Sequence, residues 1–341
     1  MKIPPYSAVI VSDRADKRLK SLEAIAKLPA EDRPREILLA VGRNPSRQRN
    51  LGVSACKDPL VYFLDDDSEA VPGAPARLQS HFEDGRTAVA GGPNLCHPGA
   101  SPFEKTVSAV LASWLGSFKV RSRYAATGSV REATEKDLIL CNMMVRRETF
   151  LAEGGFREDL YPNEENEFLN RLLHSQFRLV YDPRAAIFRD RRKGLGAFCH
   201  QAFRYGRGRA RQIKVYPCLS DVVHLVPAFF TLYVLSLAAL FLPRFQDPCG
   251  SFFLLGVSPL FLFSILAFGT GIAAVSWTRR LGDLARVPFL IFLRHFFYGL
   301  GLFAGFLAPA PRPNKEPIEL FKVRFQGTRY RLVPVGKRKR S

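Results

Sequence analysis

Two long uncharged stretches near the end of the chain constrain its fold more than any other feature. From Asp221 to Pro243 no charged residue follows the first, and from Phe252 to Trp277 there is none at all. Each is long enough to cross about 30 Å of hydrocarbon as a helix. A third segment, 288–308, is of similar length but carries Arg294 and His295, which are costly in a bilayer unless they snorkel, pair or face protein. The alternative is that all three are buried helices of a large soluble core. Most of the charge lies before residue 220. The chain therefore reads as a soluble domain over 1–215, a membrane region over 216–310 with spans at 221–243 and 252–277, and a basic tail over 311–341.

Charge sets the orientation. With 50 Lys+Arg against 31 Asp+Glu, the formal net charge is +19, which suits an anionic partner: nucleic acid, an acidic membrane surface or a phosphorylated substrate. No RNP, zinc or helix-turn-helix signature is present, so no nucleic-acid partner is expected. Arg and Lys crowd the region before the first span and the loop Arg279–Arg286, whereas the loop between the first two spans, LPRFQDPCG, has a single arginine. The positive-inside rule then makes the chain a multi-pass protein of the cell inner (plasma) membrane with its soluble domain cytoplasmic. The tail, also basic, belongs on the same side, and three full spans would export it. This favours two spans, with 288–308 re-entrant or interfacial. The six cysteines are scattered without zinc or disulfide spacing and read as reduced thiols. The N-terminus has no signal-peptide pattern, so internal targeting is expected.

Within 1–215, the apolar runs SAVIV, EILLAV and VYFL alternate with helix-length polar segments, the first helix expected from Lys17 to Leu28. Such alternation reads as βαβ units around a parallel sheet, whose ligands bind at the carboxyl ends of the strands. Ser12, Asp13 and Arg14 follow the first strand, and Asp65, Asp66 and Asp67 follow the third. Three adjacent carboxylates are either a solvated turn or hard oxygen donors for Mg2+ or Mn2+. Further on, NEENEFLNRLLH sets Glu164, Glu167 and Arg171 on one side of an amphipathic helix and Phe168, Leu169 and Leu172 on another.

The order and spacing of three stretches decide between those readings. SRQRNLGVSACKDPLVYFLDDDSEAVP resembles the segment of family 2 glycosyltransferases in which an Ala-Arg-Asn-x-Gly helix precedes a strand and Asp-x-Asp. EGGFREDLYPNEENEFLNRL resembles that family's Gly-Gly-Phe-Asp-Glu, spacer, Glu-Asp-x-Glu-Leu, and RLVYDPRAAIF the strand and Tyr-x-Pro turn that follow. The resemblance covers roughly residues 6–215. It implies a GT-A fold, an α/β Rossmann-like mixed sheet with helices on both faces, divided into a nucleotide-binding half (1–95) and an acceptor half (96–215). It also implies inverting transfer of a sugar from a nucleotide-diphosphate donor, a UDP-sugar first among them, to a lipid-linked or membrane-proximal saccharide.

The resemblance also assigns roles. Ser12, Asp13, Arg14, Arg47, Asp65 and Asp66 would bind the nucleotide sugar. Asp67, with Asp65, would hold Mg2+ or Mn2+, and Glu165 would be the general base. Glu164 and Arg189 would meet the diphosphate or acceptor. So would Gln201, Arg204 and Tyr205, since HQAFRYGRGRARQ is similar to the Gln-x-x-Arg-Trp motif of membrane-embedded polysaccharide synthases with Tyr for Trp. A juxtamembrane basic stripe holding anionic lipid is the other reading of that segment. The chain departs from the family pattern in three places. Glu165 replaces the commoner Asp, Gly42-Arg43-Asn44 replaces Asp-Gly-Ser-x-Asp, and Arg189 stands where a histidine is common, where it could meet diphosphate oxygens directly. A non-catalytic basic membrane adaptor, with a GT-A domain binding only nucleotide or anionic lipid, is the competing function.

Overall fold

The computed structural model describes residues 4–15, 19–215, 217, 222–237, 251–309 and 316–335. In chain order the elements are β1 (Tyr6–Ser12), α1 (Lys20–Lys27), β2 (Glu36–Val41), α2 (Pro45–Ala55), β3 (Leu60–Asp65), β4 (Ser68–Ala70), α3 (Ala74–Ser80), β5 (Thr87–Gly91) and β6 (Asn94–Cys96). There follow α4 (Pro102–Ala112), α5 (Trp114–Ser117), β7 (Arg131–Glu132), β8 (Met143–Arg146), α6 (Arg147–Ala152), α7 (Glu164–His174), β9 (Arg178–Tyr181) and β10 (Ile187–Arg189). The last elements are α8 (Leu195–Val215), α9 (Val222–Ser236), α10 (Ser251–Thr278), α11 (Asp283–Leu307), β11 (Glu319–Gln326) and β12 (Arg329–Pro334). Residues 16–18, where the first helix was expected to start, 221 and 238–243 of the first expected span, and the terminal KRKR lie outside the described residues.

Two compact units result, one from 1–98, 122–190 and 311–341, the other from 99–121 and 191–310. The sequence division at 215 thus differs from the packing. In the second unit α8 and α4 pack against α11.

The first unit is built on a mixed sheet of order β12-β11-β2-β1-β3-β8-β5-β9-β7. β1 is parallel to both β2 and β3, as the continuous apolar runs require. Alternation along these strands feeds two cores. Ala8, Ile10, Ile37, Leu39, Tyr62 and Leu64 join one, with Leu22 and Leu78 from α1 and α3. Val9, Leu38, Val61 and Phe63 join the other, with Val53 of α2 and Phe168 and Leu172 of α7. The register pairs Ser12 with Val41 and Val11 with Asp65, so the expected site residues of β1 and β3 share one sheet edge.

A second, smaller sheet has the order β4-β10-β6, and its β4 begins three residues after β3 ends. Its antiparallel register sets Arg189 opposite Ser68, one residue past Asp67. The tail was expected only to be basic, but residues 319–334 form two strands. β11 pairs antiparallel with β2 from Glu319↔Val41 to Lys322↔Leu38, and Lys322 Nζ reaches Glu36 Oε1 at 2.7 Å.

In the second unit, α11 is the central helix, packed by α8, α9 and α10. α10 and α11 are each long and apolar enough to cross a membrane, 23 and 25 residues in their apolar spans, and α9 is a shorter apolar helix.

Candidate functional site

The site forms where β3 runs out. Asp65 ends the strand, and its two carboxylate oxygens face two different arginines. Oδ1 accepts from Arg49 Nη2 at 2.6 Å, and Oδ2 lies 2.8 Å from Arg189 Nη2. Arg189 also donates through Nε to Asp67 Oδ1 at 2.8 Å. Asp66 turns the other way and accepts from the Ser12 hydroxyl at 3.2 Å. Asp13 and Arg14 follow Ser12 at the end of β1. Burial raises the pKa of Asp67, and Arg189 pulls against that rise while the neighbouring Asp65 and Asp66 add to it.

Arg49 is the residue that the sequence reading missed. It is 4 % exposed on α2 and spans from Asp65 to Glu164 Oε1, 3.1 Å from its Nη1. One guanidinium therefore ties the end of β3 to the first turn of α7. A buried arginine pays for its desolvation only if its forks are filled, and here two carboxylates fill them. Its signal was within the Arg-Asn-x-Gly stretch already singled out, and each residue there has a local reason. Asn50 accepts from the Phe156 amide at 2.9 Å and donates to the Phe156 carbonyl at 2.8 Å, holding the loop that leads into α7. Gly52 closes α2 onto β1, since a Cβ there would sit 2.6 Å from Val9 Cγ1. Arg47, the expected nucleotide contact, donates to the Glu316 carbonyl at 3.0 Å.

α7 opens with Glu164, Glu165 and Glu167 in its first turn, where carboxylates meet the positive end of the helix dipole. Their surroundings give them different tasks. Glu167 pairs with Arg171 one turn on, and Arg171 also donates to the carbonyls of Glu153 and Gly155. That clasps the turn in which Gly154 and Gly155 take φ of 77° and 68°, a region favouring glycine. Glu164 is 1 % exposed. Its Oε2 has no hydrogen-bond partner among the described residues. Burial first, and Glu165 second, push its carboxyl up to about 8, against the pull of Arg49. Glu165 lies 3.5 Å from Arg123 Nη1. Arg123 is fixed by Asn166 Oδ1 at 2.5 Å and by the Glu135 carbonyl.

Among the described residues no three His, Cys, Asp or Glu side chains converge as a metal centre. Asp65 and Asp67 nevertheless fit a divalent cation. They are hard donors, part exposed at 17 % and 31 % of their side chains, close enough for one guanidinium to bridge. Mg2+ commonly takes one or two carboxylates and completes its shell with phosphate oxygens and water. Arg189 spans both carboxylates, so it and a cation compete for the same oxygens.

Gln201, Arg204 and Tyr205 belong to the second unit, on α8. Gln201 donates to the Tyr205 hydroxyl at 3.2 Å one turn on, and Arg204 is exposed.

Comparison with known proteins bears on this geometry. Residues 2–151 match the family model described as glycosyl transferase family 2. The chain is 26 % identical over 170 residues to the pre-mycofactocin glycosyltransferases of two Mycobacterium tuberculosis strains, CDC 1551 / Oshkosh and H37Rv. The match takes in 49 % of this chain and 34 % of theirs, so the chain spans about a third of the length of these curated relatives. A mannosyltransferase from Pyrobaculum calidifontis, solved with GDP-Man and Mn2+, superposes with a TM-score of 0.56 at 13 % identity, covering 89 % of this chain and 87 % of that one. Residues 2–151 thus resemble family 2 glycosyltransferases, and the fold is the GT-A fold expected from the sequence.

Proposed function

We propose that this GT-A domain moves a sugar from a nucleotide-diphosphate donor to a lipid-linked or membrane-proximal saccharide by a single displacement that inverts the anomeric centre. The observation that carries the reading is the Arg49 bridge between Asp65 and Glu164. It fixes the donor-binding strand end and the acid-bearing helix to each other through one rigid group, and displacement needs both partners held in register.

In this reading Ser12, Asp13, Arg14, Arg47, Asp65 and Asp66 take the nucleotide sugar, with UDP as the first nucleotide to test. Asp67 and Asp65 are the ligands for Mg2+ or Mn2+, which when bound neutralises the charge of the departing diphosphate. Arg189, whose guanidinium rests on Asp65 and Asp67, serves the same diphosphate from the protein side. Glu165 accepts the proton of the acceptor hydroxyl as the new C–O bond forms. Arg123 holds that carboxylate in place, and a neutral Glu164 leaves one fewer negative charge beside the incoming hydroxyl. Gln201, Arg204 and Tyr205 are assigned to the phosphate-bearing end of the acceptor. Basic flanks around the apolar helices favour an inner-membrane location with this domain cytoplasmic.

The adaptor reading draws on the Arg189 bridge, which in a non-catalytic protein would simply neutralise Asp65 and Asp67. The test is a panel of UDP-, GDP- and dTDP-sugars, with and without Mn2+, on wild type and Asp67→Ala. Transfer or hydrolysis of one donor, lost in the variant, supports the enzyme. Binding without turnover across the panel supports the adaptor.

A further inference from the structure

The sheet records on which side of a membrane the chain ends. β11 pairs with β2, and Val323 is buried in the core of the first unit. A strand cannot join a sheet across a bilayer. The chain that leaves this unit after Asp190 is therefore back on the same side at Glu319, and crosses any membrane an even number of times between. Three apolar helices lie in that interval, so at least one of them does not cross.

Contacts within the second unit identify it. At the start of α11, Asp283 accepts from the Thr106 hydroxyl of α4 at 2.6 Å. Arg280 donates to the Pro102 carbonyl, and Arg294 donates through Nε to the Gly116 carbonyl of α5 at 2.6 Å. α4 and α5 belong to residues 99–121, an insertion whose two ends join the sheet unit at 98 and 122. The first half of α11 is thus held to a segment that starts and finishes on the sheet's side. After α11, Ala308–Pro317 leads to β11 and contains Pro309, Pro311, Arg312, Pro313, Lys315 and Pro317. Ten residues are too few to cross about 30 Å of hydrocarbon as a helix. Both ends of α11 are on one side.

α8 supplies a second, independent argument. It runs parallel to α11 at close range. A Cβ on Gly206 would strike the Tyr298 carbonyl, one on Gly301 the Phe203 carbonyl, and one on Gly305 the Arg207 backbone and Ala210. Lys214 Nζ donates to the carbonyls of Gly305 and Ala308 at 3.1 Å each, capping the end of α11. His200, Arg204, Arg207 and Lys214 are exposed, and their spacing of four, three and seven sets them along one helix face. If α11 stood across hydrocarbon, Arg204, Arg207 and Lys214 would be carried into it, where charged side chains are costly. Between the first halves of the two helices an apolar groove opens, lined by Leu195, Cys199, Phe203, Phe289, Leu293 and Phe297. Acyl chains would cover it.

We infer that α8 and α11 lie side by side in the membrane surface as an interfacial platform whose partner is an anionic lipid bilayer. The basic face of α8 meets headgroup phosphates, and the exposed Phe289, Phe303 and Leu307 of α11 enter the headgroup–acyl boundary. α9 and α10 remain the elements that can enter the bilayer as a pair. This inference rests on the membrane association proposed above, and the test separates the two. Full-length protein is reconstituted in vesicles of phosphatidylcholine and phosphatidylglycerol, with a nitroxide-bearing unnatural residue at 289, 293, 300, 303 or 307 in turn, and at 129 and 335 as markers of side. Oxygen and water-soluble quenchers then report depth. The expected result is a uniform shallow depth along α11, with 129 and 335 quenched from the same side. A depth maximum near 293–300, with 307 reached only from the opposite side to 129, would overturn it. Protein that does not float with vesicles at all would overturn the membrane reading itself.

Discussion

Two sets of arginines, one in each unit, are used in opposite ways. In the sheet unit Arg49, Arg123 and Arg189 are inward-facing and fixed by named carboxylates or carbonyls. On α8 of the helical unit, Arg204 and Arg207 point outward along one face, and glycines carry the packing behind them. A guanidinium filled by two carboxylates sets positions to within a hydrogen bond, whereas a row of exposed ones sets a surface potential that any anionic surface can answer. The first kind suits chemistry at a point; the second suits attachment to a plane.

Substitutions sharpen the contrast. The largest effect is expected at Glu165. Glu165→Gln should lower turnover by about 10²–10⁴-fold, the usual worth of a positioned base, with donor affinity by calorimetry little changed. Next is Arg49→Met, which takes the guanidinium from between Asp65 and Glu164 and leaves the buried Glu164 without its ion-pair partner. Breaking a buried pair costs about 3–5 kcal/mol, so the melting temperature of the sheet unit should fall by about 10 °C, measured by calorimetry.

Arg189 tests whether its guanidinium and a cation share one pair of oxygens. Two part-exposed ion pairs of up to about 1 kcal/mol each should give way in Arg189→Ala, and Mn2+ should bind about tenfold more tightly. The smallest effect belongs to the outward face. Arg204→Gln and Arg207→Gln should each weaken selection of anionic over neutral lipid about fivefold, near 1 kcal/mol per basic residue, as read from lipids retained in native mass spectra.

The buried turn of α7 also predicts a pH dependence. Glu164 binds its proton more tightly folded than unfolded, with a folded value near 8 against an ordinary 4.5. Its contribution to stability is fully present below the unfolded value and is lost as pH rises toward 8. Stability should therefore decline between about pH 5 and 8, and Glu164→Gln should flatten that decline in melting curves across the range.

What the sequence made legible follows from how local each signal is. β1, β2 and β3 announce themselves as continuous apolar runs, and Asp65–Asp67 and Glu164–Glu165 as clustered charge. Arg49 was harder to see because its partners are 16 and 115 residues away, and nothing local separates a buried arginine from a solvated one on a helix. Arg123 is 42 residues from Glu165 and hidden for the same reason. The tail misled by its charge. ELFKVRFQ alternates apolar and polar residues as a half-buried strand does, but its basic residues read first as a cytoplasmic flank. The register of β10 on β4, which delivers Arg189 to Asp67, depends on a pairing of distant segments that no spacing encodes.

The central claim is that donor and base are held in one site by the Asp65–Arg49–Glu164 bridge. It is tested most directly by measuring donor binding and single-turnover sugar transfer together, in wild type, Glu165→Gln and Asp67→Ala, with full-length protein in lipid nanodiscs. The account predicts that Glu165→Gln binds the donor as wild type does but transfers at least a hundredfold more slowly, and that Asp67→Ala loses donor binding. Equal transfer rates in wild type and Glu165→Gln would contradict it.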